Sequence, residues 1–149
     1  MTDSEKEVLC TSEDETRNLA VKLAHQLKGG EVIQLIGDLG AGKTAFVKGL
    51  AEGLDCTETP TSPTFTVCNR YEGRLTIQHC DFYRLDNDSL IEHELVDMSG
   101  EDTVIVLEWA EKLSAVRPDD SVLITITPDA EDNRLFLITI PKQYNYIEL

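Results

Sequence analysis

Eight consecutive residues carry the clearest chemistry in this chain: Gly37-Asp38-Leu39-Gly40-Ala41-Gly42-Lys43-Thr44. They fit G-x-x-x-x-G-K-[ST], the pattern of a loop that wraps a phosphate chain. Glycine is needed where the backbone turns with φ > 0 and comes closer to a phosphate than a Cβ allows. The loop's N–H groups form a concave nest for anions, completed by the positive end of the following helix. Lys43 is placed to reach the outer phosphates, and the Thr44 hydroxyl to help hold Mg²⁺.

Two acids add to this chemistry. Asp81 closes a strand-like run and is a candidate magnesium-side carboxylate. Glu108 ends Thr103-Val104-Ile105-Val106-Leu107-Glu108-Trp109, the most apolar strand in the chain. An acid at the end of a central parallel strand faces the ligand crevice of an open α/β sheet. Desolvation makes a carboxylate there costly unless it is paired or metal-bound. Both acids are assigned to the site, one of them acting through water. The hydroxyls of Thr61, Ser62 and Thr64 lie between Pro60 and Phe65. With two prolines and five hydroxyl residues in eleven positions, residues 55–65 read as an extended polar loop. Such a loop either senses the γ-phosphate or simply connects elements. Trp109, the single tryptophan, stacks on adenine or packs in the core.

These residues need elements to position them. Glu31 to Ile36 has the apolar, β-branched character of a buried strand before the loop. After it, Phe46, Val47, Leu50, Ala51 and Leu54 recur at helical spacing, with Gly53 as a stop. Upstream, Ser12-Glu13-Asp14-Glu15 has the capping-box form. The helix it opens carries Leu19, Ala20, Leu23, Ala24 and Leu27 on one face and stops at Gly29-Gly30. Val8 to Cys10 suggests a short edge strand. Thr66–Tyr71 and Arg74–His79 read as a hairpin, Asn87 to Leu95 and Ala110 to Ala115 as short helices, and Val122–Thr127 with Arg134–Ile140 as a closing hairpin. His93 reads as a surface histidine. The expected architecture is α/β and P-loop NTPase-like: a three-layer sandwich whose mostly parallel sheet has helices on both faces and antiparallel additions. One domain spans 1–149, with 1–7 and 141–149 as loosely ordered tails.

Composition narrows the class. A chain of 149 residues can bury about two thirds of its unfolded surface. No stretch approaches the ~20 apolar residues that span a bilayer. The acidic start, Met1 to Glu7, lacks the order of a signal peptide, so a cytoplasmic protein without a membrane partner is expected. Cys10, Cys56, Cys68 and Cys80 show no C-x-x-C or zinc-type spacing and are expected as reduced, mostly buried thiols. The net charge of −15 repels a phosphate backbone, or merely keeps the chain soluble.

Four blocks stand in order: Gly37 to Thr44, Ser62-Pro63-Thr64-Phe65-Thr66, His79-Cys80-Asp81-Phe82-Tyr83-Arg84-Leu85, and Glu108-Trp109. Together they resemble the TsaE (YjeE) family, small bacterial ATPases of the tRNA threonylcarbamoyladenosine pathway, over nearly the whole chain. The resemblance implies binding of ATP with Mg²⁺ and its slow hydrolysis to ADP. It implies TsaB and TsaD as partners, with tRNA reached only indirectly through their complex. By motif, Thr44 and Glu108 correspond to magnesium-site residues, Asp81 and Thr64 to catalytic or switch residues, and Trp109 to a nucleotide-side aromatic. Lys43 is counted with the catalytic residues. Asp38, Leu39, Gly40, Ala41, Gly42, Lys43, Thr44 and Ala45 would line the nucleotide, with Arg134 and Glu13 bordering its base. Ala110, where the family often has proline, and Cys80 depart from the pattern without touching this chemistry.

Two other classes share the loop. A small-molecule kinase would need an arginine-rich lid, and Arg17, Arg70, Arg74, Arg84, Arg117 and Arg134 are scattered. A non-hydrolysing nucleotide sensor differs from an ATPase only in phosphate release.

Overall fold

The computed structural model describes residues 3–37, 42–58, 68–81, 100–108, 120–129, 131 and 133–149. Its elements are β1 (Ser4–Cys10), α1 (Glu13–Ala24), β2 (Val32–Ile36), α2 (Lys43–Gly53), β3 (Cys68–Glu72), β4 (Thr76–Asp81), β5 (Thr103–Glu108), β6 (Val122–Pro128) and β7 (Arg134–Ile140). The strands form one seven-stranded sheet in the order β1-β7-β6-β2-β5-β4-β3. Its centre is parallel: β2 lies between β6 and β5, and β4 follows β5. Antiparallel pairs flank this centre, with β7 and β1 beyond β6 and β3 beyond β4. The helices expected at 87–95 and 110–115, and His93, lie outside the described residues.

Strand alternation sorts the side chains between two faces. Ile33 and Leu35 of β2, Val104 and Val106 of β5, Ile124 and Ile126 of β6, and Phe136 and Ile138 of β7 join one apolar core with α1 and α2. Ile105, Leu107 and Cys80, one position out of phase, are buried on the opposite face. Burial on both faces explains the unbroken apolar run of β5. The two helices pack closely because small residues meet. A Cβ on Gly49 would stand 2.6 Å from the Ala20 Cβ, and one on Gly53 2.5 Å from the Ala24 Cβ. Ser12 caps α1 by accepting from Glu15 N at 3.1 Å. The return contact of the box goes one residue further back, where Glu15 Oε1 accepts from Thr11 N and Oγ1.

Three expectations are corrected. The first terminus is not loose beyond residue 3: β1 begins at Ser4 and pairs with β7 along its length. The end of the chain is not loose either. After β7 comes a 3-10 turn, Lys142–Tyr144, and Ile147 is buried in the core. Tyr146 donates its hydroxyl to Glu31 at 2.5 Å, while Gln26 Nε2 donates to Glu148 O at 2.8 Å. Glu31 is fully buried and also accepts from Lys28 N and Gly29 N, so its charge is satisfied at the entry to β2. Finally, the cysteines are not all reduced. Cys68 and Cys80 are direct partners in the β3–β4 ladder, with Cα atoms 4.0 Å apart, and are joined as a disulfide. Cys10 and Cys56 are free thiols, as expected. Residues 66 and 67 of the expected hairpin lie outside the described residues; its second strand, β4, runs to Asp81, which is its last residue.

Candidate phosphate site at the strand ends

β2 ends at Ile36, just before Gly37, and Gly42 stands at the N-cap of α2, where its φ of +106° suits glycine. Lys43 is the first residue of α2. Its side chain is only 6 % exposed and turns back to the strand ends, where Nζ donates to Gly37 O at 2.8 Å. On the other side Nζ stands 3.6 Å from Glu108 Oε1. The crevice between β2 and β5 therefore holds a buried cation at the carboxyl ends of two parallel strands. From β2 the chain passes over β5 to reach β4, and from β5 it returns past β2 to β6, so the strand order reverses here. That is the position at which open α/β sheets bind ligands.

Glu108 is nearly as buried as Lys43, and its two oxygens have different partners. Oε1 faces Lys43, whereas Oε2 is hydrogen-bonded by His79 Nε2 at 2.5 Å. Burial pushes the Glu108 carboxyl up, but the His79 hydrogen bond and the charges of His79 and Lys43 outweigh it and leave it below the usual carboxylate range. An ionised carboxylate only accepts, so an ionised Glu108 requires the His79 tautomer that carries a proton on Nε2. His79 Nδ1 is buried with no hydrogen-bond partner.

Strand register explains why these groups meet. Asp81 and Glu108 are direct partners in the parallel β4–β5 ladder, and His79 stands opposite Val106, two residues before Glu108. His79, Asp81 and Glu108 therefore project from the same face, toward α2. Asp81 is half-buried at the end of β4, beside Glu108, and Thr44 is half-buried in the first turn of α2. Ala45 follows in that turn. Arg134, first residue of β7, lies over the end of the loop: a Cβ on Gly42 would meet its Nε at 3.7 Å. Glu13 lines a cleft of about 420 Å³ with Arg17, Lys48, Glu52, Thr57 and Glu58, a lining that includes none of Lys43, Asp81 and Glu108. Asp38, Leu39, Gly40, Ala41, Thr64 and Trp109 lie outside the described residues.

Sequence reasoning passes over His79. Its only local signal is that it alternates in phase with Asp81, and that phase gains meaning once β4 is known to neighbour β5. Among the described residues no group of three or more His, Cys, Asp and Glu side chains could hold a metal ion. Asp81, Glu108 and the Thr44 hydroxyl remain as hard oxygen donors. They fit Mg²⁺, which takes one or two carboxylates and completes its shell with phosphate oxygens and water.

The fold and this crevice define a P-loop NTPase-like α/β protein. The sequence pattern of the family described as "Threonylcarbamoyl adenosine biosynthesis protein TsaE" matches residues 10–136. The chain belongs to the TsaE family. It is 36% identical to a Nostoc "tRNA threonylcarbamoyladenosine biosynthesis protein TsaE" over 142 residues, 92% of this chain and 87% of the relative. The Treponema pallidum protein of the same name is 41% identical over 127 residues, covering 83% and 92%. The crystal structure of Bacillus subtilis YdiB superposes with a TM-score of 0.76 at 31% identity, covering 99% of this chain and 93% of that one. No described helix is long and apolar enough to cross a membrane.

Proposed function

We propose that this chain binds ATP with Mg²⁺ on the Gly37–Thr44 loop and hydrolyses it slowly, in support of TsaB and TsaD as they threonylcarbamoylate the tRNA adenosine that follows the anticodon. The observation that carries this reading is Lys43, a buried cation stationed between Gly37 O and Glu108 at the strand ends. Membership of a family named for threonylcarbamoyladenosine biosynthesis supplies the pathway.

Each residue has a part in such a reaction. Lys43 would neutralise the outer phosphates, and Arg134, beside Gly42, would border the nucleotide. Thr44, Asp81 and Glu108 would hold Mg²⁺, one of the two acids through water. The ion, when bound, neutralises charge developing on the phosphate oxygens. Little covalent chemistry is left to the protein, so its work is positioning and charge compensation. Glu108 is kept ionised for that work by His79 and Lys43. With a net charge of −15, access to tRNA runs through the partner proteins. The cytoplasm is where such a complex would act. Phosphate release from ATP, measured for the isolated chain and with TsaB and TsaD added, tests the reading. A rate that rises on addition supports it, and an isolated chain as fast as the mixture contradicts partner activation.

A further inference from the structure

We infer that His79 is a positioning residue that fixes the Glu108 carboxylate, tying down Oε2 so that Oε1 stays turned toward Lys43 and the phosphate crevice. This rests on the reading of the crevice as an ATP–Mg²⁺ site for its activity readouts, though not for its structural one.

The inference starts from the needs of a buried carboxylate. Glu108 is 4 % exposed and His79 1 %, so water cannot satisfy an oxygen that loses its partner. A glutamate side chain has three rotatable bonds, and a carboxylate with one partner can swing both oxygens onto it. Here each oxygen has its own partner. Lys43 comes from α2 and bonds Gly37 O as well, whereas His79 comes from β4, two residues along from the partner of Glu108. Among the described residues, removing the His79 contact would leave Lys43 as the ion-pair partner of Glu108. Both oxygens would then be drawn onto the ammonium, tightening Lys43 against the strand ends and turning the free edge of the carboxylate away from a metal.

The His79 ring is itself committed by its position. On the strand before Asp81, flanked by β3 and β5, it has little freedom to turn. Its Nδ1 makes no hydrogen bond that would pull the ring elsewhere. Nε2 to Oε2 is thus the polar contact that the buried ring makes. Partners behind a ligating side chain commonly control metal affinity about tenfold or more when removed.

The test uses His79→Gln, whose amide nitrogen can replace Nε2 as donor, and His79→Leu, which fills similar space without one. Crystal structures of both give a readout that needs no turnover. In His79→Gln the carboxylate should keep its place, and in His79→Leu it should rotate onto Lys43. In phosphate-release assays with partners present, His79→Leu should raise the Mg²⁺ concentration for half-maximal rate about tenfold or more. At saturating Mg²⁺ its rate should largely return, and His79→Gln should stay near wild type throughout. A merely structural role would lower the amount of folded protein in both variants without moving the Mg²⁺ midpoint. An unmoved midpoint with Glu108 in place would overturn the inference. If His79→Leu does not fold, His79→Gln decides alone, since a displaced carboxylate or shifted midpoint there contradicts donor replacement and an unchanged one supports it. If wild-type protein releases no phosphate, the ATPase reading fails, and the Glu108 positions in the two variant structures still judge His79.

Discussion

Lys43 Nζ and Glu108 Oε1 stand 3.6 Å apart, with both side chains almost wholly buried. A helix start and a strand end, 65 positions apart by residue number (108 − 43), meet as opposite charges in the crevice between β2 and β5. Breaking one side of such a pair strands the other charge in a dry site. Lys43→Met should therefore lose nucleotide binding and also cost about 3 kcal/mol of stability. Urea denaturation without nucleotide checks the second effect. A variant as stable as wild type would mean that Lys43 serves the ligand alone.

The Cys68–Cys80 bridge ties the edge strand β3 to β4 immediately beside His79 and Asp81. It closes a loop with a sequence separation of 12, for which chain entropy gives a stabilisation of about 3 kcal/mol. Alkylation of the unfolded, unreduced protein should label Cys10 and Cys56 only, and after reduction all four cysteines. Cys68→Ser should lower the denaturation midpoint by an amount that reduction of wild type reproduces. Four labelled thiols without reductant would show the pair to be open.

Tyr146 anchors the end of the chain on Glu31. Burial, then the hydrogen bond and charge of Glu31, push its phenol well above the ordinary tyrosine range. A folded pKa above the unfolded one means that the contact's stabilisation is fully present below about pH 10 and is lost as pH rises through the folded value. Tyr146→Phe should cost about 1 to 3 kcal/mol at pH 8, because a charged acceptor loses a donor. Absorbance titration should show the phenolate missing from Tyr146→Phe to be one that forms only at the alkaline end of the wild-type curve. Equal titration of both proteins near pH 10 would contradict the contact.

Much of this architecture is legible in residue patterns, because β2, α1, α2, β5 and the β6–β7 hairpin carry their periodicity locally. The start of α2 at Lys43 and the place of Glu108 at the end of β5 are legible for a different reason: motif and strand end are both short-range features. What escapes local reading depends on which strand lies beside which. His79 means nothing until β4 is set next to β5, and the Cys68–Cys80 bridge needs the register of the β3–β4 ladder. The tail reads as loose because its partners are remote: Tyr146 reaches Glu31 across 115 positions and Glu148 reaches Gln26 across 122. β1 is obscured in the same way, its polar residues Ser4 to Glu7 being held by backbone pairing to β7.

The ATPase account is tested most directly by phosphate release and ATP binding of Glu108→Gln, compared with wild type in the presence of TsaB, TsaD and Mg²⁺. The substituted amide would keep the size and most of the contacts of the Glu108 carboxylate without its charge. The account predicts that the variant still binds ATP while turnover falls on the order of 100-fold or more. Wild-type turnover in Glu108→Gln, or no Mg²⁺-dependent phosphate release by wild type under the same conditions, would contradict it.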